Sequence, residues 1–168
     1  MKYHNITRDD MLNGEGLRVV LWVSGCEHGC KDCHNQITWN ANEGLVFDDD
    51  AKQEIIECLD KNYIQGITFS GGDPLYKSNV KEITEFCKFL KNKYGSKKDI
   101  WLYTGYLFED IEKLEILNYI DVLLDGKYDR KLSNLNLEWV GSSNQRIIDV
   151  KESLIQKRLV LKDNLKGN

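Results

Sequence analysis

Leu17–Val23 reads LRVVLWV, and it runs directly into Ser24-Gly25 and the segment Cys26–Cys33, CEHGCKDC. Apart from Arg18 the first seven residues are apolar and rich in β-branched side chains. They lack the alternation of a half-exposed strand, which suits a strand buried on both faces of a parallel sheet. The Ser-Gly pair ends the strand, and a polar loop rich in Cys, His, Gly and Asp follows. A buried strand that delivers three thiols into one loop frames the reading of the other segments.

Downstream, Asp48–Asn62 (DDDAKQEIIECLDKN) has acids in its first turn and apolar residues at Ile55, Ile56 and Leu59, the pattern of an amphipathic helix with a favourable dipole. Gly66–Phe69 is a short strand. Val80–Tyr94 places Val80, Ile83, Phe86, Cys87 and Leu90 at helical spacing, and Asp99–Tyr103 (DIWLY) is again a strand. A helix is expected over Asp110–Leu117, a strand within Tyr119–Leu124 ending at Asp125-Gly126, and a weaker strand at Arg146–Val150. Strands alternating with helices over short connections imply βαβ units, a parallel sheet and right-handed crossovers. An eight-fold barrel needs ~250 residues. A chain of 168 residues therefore allows a partial one or a flat doubly wound sheet. The expectation is an α/β fold, a partial (β/α) barrel with a parallel sheet, in a single domain over residues 1–168. Ligands of such sheets bind at the carboxyl ends of the strands. Cys26, Gly71–Pro74, Thr104 and Asp125 each follow one of the first four expected strands.

The composition narrows the class. One proline, 30% charged and 41% hydrophobic residues, without repeats or low-complexity tracts, describe a compact globular protein. A net charge of -4 argues against a broad grip on nucleic acid, which requires a basic stripe. Met1–Arg18 shows no basic segment followed by an apolar one, and Val19–Val23 is far short of the ~20 residues that span a bilayer. The expected location is the cytoplasm, with no membrane partner. Five cysteines in that reducing compartment are read as ligands, catalytic thiols or core residues, and not as disulfides.

Cys26, Cys30 and Cys33 are spaced C-x3-C-x2-C, so one loop can reach three irons of a cubane and leave a fourth open. Ferredoxin spacings and paired zinc knuckles are different patterns. Structural zinc, with His28 or His34 as fourth ligand, is the rival account of the same residues. Cys58 and Cys87 fall on the apolar faces of expected helices and are assigned to the core. No cysteines remain for a second cluster, so any reducing electron comes from another protein.

These residues resemble the radical S-adenosylmethionine superfamily, whose C-x3-C-x2-C loop holds a 4Fe-4S cluster with one open iron. Asn13–Arg18 (NGEGLR), Ser24–Cys26 (SGC), Cys33–Asn35 (CHN) with Thr38-Trp39, Phe69–Leu75 (FSGGDPL), Trp101–Tyr106 (WLYTGY), Val122–Lys127 (VLLDGK) and Gly141–Gln145 (GSSNQ) narrow the likeness. In this order they are similar to the activating proteins of anaerobic ribonucleoside-triphosphate reductase, from about Gly14 to Gln145. Two positions depart from the superfamily pattern: Asp32 stands where an aromatic residue is usual, and Gly71-Gly72-Asp73 replaces Gly-Gly-Glu. Gly14 and Gly16 imitate part of a dinucleotide fingerprint. Val19 stands at the third glycine and the segment precedes a strand, so that reading is discarded.

The resemblance implies that S-adenosyl-L-methionine chelates the open iron and is cleaved reductively, and that the resulting radical is passed to a glycine of the anaerobic ribonucleotide reductase large subunit. An external one-electron donor, flavodoxin-like or ferredoxin-like, is implied as a second partner. No side-chain base is required, because the 5'-deoxyadenosyl radical itself abstracts the hydrogen. By the same resemblance the backbone around Asp32, Cys33 and His34 lines the adenine pocket. Gly71, Gly72 and Asp73 approach the methionyl amino group, although the stretch reads equally well as a Gly-Gly-Asp-Pro turn. On this reading a β-carbon at Gly72 obstructs the cosubstrate and leaves the cysteine loop intact. Thr104, Asp125 and Lys127 are candidates to hold a cation or orient the cosubstrate; a helix cap and an Asp125–Lys127 ion pair explain them as well. Asn144 and Gln145 suit a purine or ribose, or a turn. His4, His28 and His34 show no partner pattern and read as solvated or loop-packing. An activase of a pyruvate formate-lyase type enzyme and a zinc-stabilised binding module are the rivals.

Overall fold

A computed structural model describes residues 1–162. In chain order the elements are β1 (Lys2–Asp10), β2 (Arg18–Val23), β3 (Leu45–Val46), α1 (Asp49–Leu59), β4 (Gly66–Gly71), α2 (Val80–Tyr94), β5 (Asp99–Tyr103), α3 (Phe108–Ile111), β6 (Val122–Asp125), β7 (Arg146–Asp149) and α4 (Val150–Gln156). The seven strands form one sheet in the order β3-β1-β2-β4-β5-β6-β7. The central strands β2, β4, β5 and β6 are parallel, as their buried apolar runs require.

The flanks differ from the expected parallel sheet. β1 pairs antiparallel with β2 and β3, and β7 antiparallel with β6. The sheet is mixed and open, with β3 and β7 at its edges, and does not close into a barrel. The cause at β7 is its connection. Residues 126–145 hold a 3-10 turn, Arg130–Leu132, and a Ser133–Ser142 bridge but no α-helix, and without a crossover helix the chain returns beside β6 in the opposite direction.

Alternation along the central strands separates two faces. Val19, Leu21, Val23, Ile67, Phe69, Ile100, Leu102, Leu123 and Ile148 join a core to which α1, α2, α3 and α4 contribute Ile55, Phe86, Ile111 and Val150. Trp101, Val122, Leu124 and Ile147 point the other way and are covered by Trp139 and Val140. Helices therefore cover one face only, and β2, β4, β5 and β6 lie in sequence order without a reversal. This single winding excludes the doubly wound alternative.

Local chemistry sets the helix boundaries. Asp48 caps α1 through the Ala51 amide, and Asp49 and Asp50 stand at its positive end. α2 ends in Lys91, Lys93 and Gly95, the last at φ 59°. The helix expected over Asp110–Leu117 is instead one turn, α3, followed by a 3-10 turn at Glu115–Asn118. α3 starts earlier than expected because the Asp125 carboxylate accepts the Phe108 amide at 2.7 Å.

Arg18, wholly buried, ties together the amino ends of the parallel strands. Its guanidinium donates to Thr68 Oγ1 and the Ile67 carbonyl, pairs with Asp99 and lies 4.9 Å from the Trp101 ring centroid. Gly14, at φ 138°, passes so close that a β-carbon would fall 2.8 Å from Arg18 Cδ. The Asn13–Arg18 motif is thereby accounted for at the end of the sheet opposite the cysteines. No helix among the described residues is long and apolar enough to cross a membrane.

Candidate functional site

The loop after β2 is fastened at both ends. The Gly25 amide donates to the Thr38 carbonyl and the Cys26 amide to that of Trp39, while the Asp73 amide donates to Gly25. Buried Asn79 donates its side-chain amide to the Ser24 and Asp73 carbonyls. Between these anchors Cys26, Cys30 and Cys33 are free thiols, partly exposed. All three line one cavity of about 130 Å³ together with His34, Trp39, Ser70, Gly71, Gly72, Thr104, Tyr128 and Gln145. Cys58 and Cys87 are buried in the helix-side core, as their spacing predicts.

Of the expected cosubstrate residues, Cys33, His34, Gly71, Gly72 and Thr104 meet in this cavity. Asp73 does not face it. Its carboxylate is 1% exposed and fully engaged, accepting from the Leu75 amide, the Thr104 hydroxyl and the Gly105 amide and pairing with His28 Nε2. Gly72 also differs from expectation, since its β-carbon would sit 2.5 Å from the Gly25 carbonyl oxygen and 2.9 Å from that of Thr38. Substitution there displaces the cysteine loop, contrary to the expectation that the loop would be untouched.

Asp32 adopts φ 59°, a left-handed conformation, and turns its carboxylate outward to Arg130. Asp125 is wholly buried, yet its carboxylate is taken by the Arg146 guanidinium and the Phe108 amide. The partner is thus Arg146 on the adjacent antiparallel strand, and not Lys127. Asn144 donates to the Lys127 carbonyl outside the cysteine cavity, whereas Gln145 lines it, held by its contacts to the Gly126 carbonyl and the Gly141 amide.

His28 packs within the loop, one of its two expected readings, but its pairing with Asp73 is what sequence reasoning missed. Its side chain is 5% exposed, and its ring meets Tyr106 edge-on at 4.6 Å. A β-carbon at Gly105 would fall 2.4 Å from the imidazole. Tyr106 in turn donates its hydroxyl to Glu27. The Thr104-Gly105-Tyr106 segment is therefore a clamp on Glu27 and His28 of the cysteine loop. A histidine two residues after the first cysteine, with a lone carboxylate after Gly-Gly, was the available signal.

Burial pushes the Cys26 thiol up to about 11 and raises Cys30, against the opposing influence of the Tyr128 backbone and Lys127. A metal held by these thiols would have to displace their protons, because a cysteine ligates as the thiolate. The donor set fits an iron-sulfur cluster: three thiols on one loop border a single cavity, facing a glycine-lined strand end. No three His, Cys, Asp or Glu side chains among the described residues gather about a single ion. A cubane instead distributes its ligands over separate irons.

Comparison with known proteins accords with this chemistry. The family model for a 4Fe-4S single cluster domain matches residues 12–148. The chain is 49% identical over 147 residues to the anaerobic ribonucleoside-triphosphate reductase-activating protein of Enterobacteria phage T4, covering 88% of this chain and 93% of that one. It is 44% identical to the protein of that name from Haemophilus influenzae, over 88% of this chain and 97% of the relative. The Escherichia coli K12 protein is 40% identical, over 86% and 96%. A three-thiol loop at the carboxyl ends of the parallel central strands, a matching 4Fe-4S domain and this identity along nearly the whole chain place the protein in the family of anaerobic ribonucleoside-triphosphate reductase-activating proteins.

Proposed function

We propose that this protein is a radical S-adenosylmethionine activase that generates a glycyl radical on the large subunit of anaerobic ribonucleoside-triphosphate reductase. The observation that carries the proposal is the single cavity bordered by Cys26, Cys30 and Cys33 on one side and by Ser70, Gly71, Gly72 and Thr104 on the other. Cys26, Cys30 and Cys33 hold the 4Fe-4S cluster. When bound, the cluster supplies the electron that splits S-adenosylmethionine and an open iron for its amino and carboxylate groups.

The remaining work belongs to the protein. Gly71, at φ 106°, and Gly72 bring backbone without side chains to the cavity wall. Asp73 acts from behind that wall, holding Thr104, the Gly105 amide and His28 in fixed relation. His34 and Gln145 offer polar groups to the adenosyl portion. The open sheet leaves the strand-end face accessible, so a flexible glycine loop of a partner can approach the cosubstrate. With no second set of cysteines on the chain, the electron is delivered by a separate one-electron donor.

The deciding experiment is anaerobic. Chemically reduced protein, S-adenosylmethionine and the reductase large subunit should give 5'-deoxyadenosine and a glycyl radical seen by electron paramagnetic resonance. If the cosubstrate is cleaved and no radical appears on the reductase, while a pyruvate formate-lyase type enzyme acquires one, the partner assignment is replaced. No cleavage at all refutes the activity.

A further inference from the structure

A second concavity of about 370 Å³ adjoins the cysteine cavity at Tyr128. It is lined by Lys31, Lys127, Tyr128, Asp129, Arg130, Lys131 and Asn144. Tyr128 borders both spaces. Lys31 follows Cys30 in the chain, and the Tyr128 backbone and the Lys127 ammonium both act on the Cys30 thiol.

The charges here are unbalanced. Arg130 is neutralised by Asp32, and the Asp129 carboxylate accepts the Lys131 amide. Lys31, Lys127 and Lys131 are exposed and form no ion pair among the described residues. Three unpaired cations against one carboxylate make a positive patch on a chain whose net charge is -4. Lys127 also borders a neighbouring cavity of about 680 Å³, where Glu27 and Asp110 stand with it; Lys31 and Lys131 line only the basic concavity. An acidic partner is thus drawn to the Lys31 and Lys131 side of the cysteine loop.

We propose that the Lys31–Lys127–Lys131 face is the docking surface for an acidic one-electron redox protein, which reduces the cluster through the Cys30–Tyr128 wall. This rests on the activase reading above, since a cluster without a second redox centre on the chain needs an external reductant. The step is a single electron leaving the donor's cofactor and entering the cluster; no proton or group is transferred. A protein donor fits this face better than a small anion. The cations surround a shallow, exposed concavity on two separate loops, and they adjoin the one group that has to be reduced.

Carbodiimide coupling of the cluster-loaded protein to an acidic flavodoxin, read by peptide mass spectrometry, should join flavodoxin carboxylates to Lys31, Lys127 or Lys131. Coupling confined to other lysines overturns the proposal. In stopped-flow experiments at low ionic strength, Lys31→Glu/Lys131→Glu protein should be reduced by flavodoxin at least about tenfold more slowly than wild type. That gap should close as salt is added, and neutral photoreduced 5-deazariboflavin should reduce both proteins alike. Equal flavodoxin rates overturn the docking face. Lys131→Glu alone, outside the cysteine loop, serves if the double variant loads no cluster, with a smaller slowing expected in the same direction. Deazariboflavin-reduced wild type must also yield 5'-deoxyadenosine from S-adenosylmethionine. Failure of that control refutes the activase reading, whereas failure of the flavodoxin arm alone refutes only the surface.

Discussion

A β-carbon on Gly72 has nowhere to go, because it would meet the Gly25 carbonyl oxygen at 2.5 Å and that of Thr38 at 2.9 Å. Gly72→Ala is expected to lose cluster content and melting temperature together. Gly29→Ala meets no atom within 4 Å and carries only the strain of φ 59°, about 1–2 kcal/mol; it should keep its iron. Iron analysis and thermal melts of the two variants check the contrast, and full loading of Gly72→Ala would show that the close approach is unimportant. Among the cysteines, Cys26→Ala, Cys30→Ala and Cys33→Ala should each abolish the cluster, because a cubane with three protein ligands cannot spare one. Cys87, wholly buried in the core, should tolerate alanine with full iron and sulfide at a cost of about 1 kcal/mol, comparable to deleting one buried methyl group. Asp73→Asn removes an acceptor from a carboxylate that serves two backbone amides and the Thr104 hydroxyl. Each donor left buried without a partner costs about 1–3 kcal/mol, and the loss should appear as lower stability and poorer retention of the His28 side of the loop.

At the scale of elements, the reversed strand β7 is held to β6 by more than its ladder. Arg146 reaches across from β7 to the buried Asp125 carboxylate and outward to Glu109 on α3. Arg146→Ala leaves a wholly buried carboxylate with only the Phe108 amide, and is expected to destabilise the protein by about 3–5 kcal/mol. Glu109→Gln, at an exposed position, should cost below about 1 kcal/mol. Arg146 holds the Glu109 carboxyl below its ordinary range, so this small contribution is present above that range and lost as pH falls through the lowered value. Denaturant melts of both variants measure the difference, and equal losses would remove Asp125 from the explanation. These contacts also show what the chain made legible. β2, β4, β5, α1 and α2 could be read because each buries a long continuous or helically spaced apolar set. β1 could not: KYHNITRDD buries only Tyr3 and Ile6, and its order comes from pairing with β2. β7 was legible as a strand and not in direction, which depends on a connection without periodicity. At the site, the spacing of the cysteines placed them on one loop, and the place of Gly71 and Gly72 after a strand, with the family resemblance, put them opposite it. The contacts of His28, Asp73 and Asp125, by contrast, depend on partners 45, 31 and 21 positions away.

For the whole molecule, the question is whether the cluster is needed to fold the chain or only to make it work. The helix-side core, from Val19 and Leu21 through Ile55, Phe86 and Ile116 to Val150, includes none of Cys26, Cys30 and Cys33. The cysteine loop is closed by protein bonds at Gly25, Cys26 and Asp73 and clamped by Tyr106 at Glu27 and His28. Small metal-dependent domains lack such a core and are unfolded without their ion, whereas a chain of 168 residues buries enough surface to fold alone. The protein stripped of iron should therefore melt in one cooperative transition and keep slow hydrogen exchange in β2, β4, β5, α1 and α2. Loading the cluster should add protection mainly in residues 26–39 and at the strand ends near Ser70–Asp73, Thr104–Tyr106 and Gly126–Tyr128, which surround the cavity. Paired hydrogen-exchange measurements on stripped and reconstituted protein distinguish the two cases. If stripping iron abolishes protection across α1 and α2 as well, the cluster is part of the folding nucleus, and the separation of core from site drawn from the packing is incorrect.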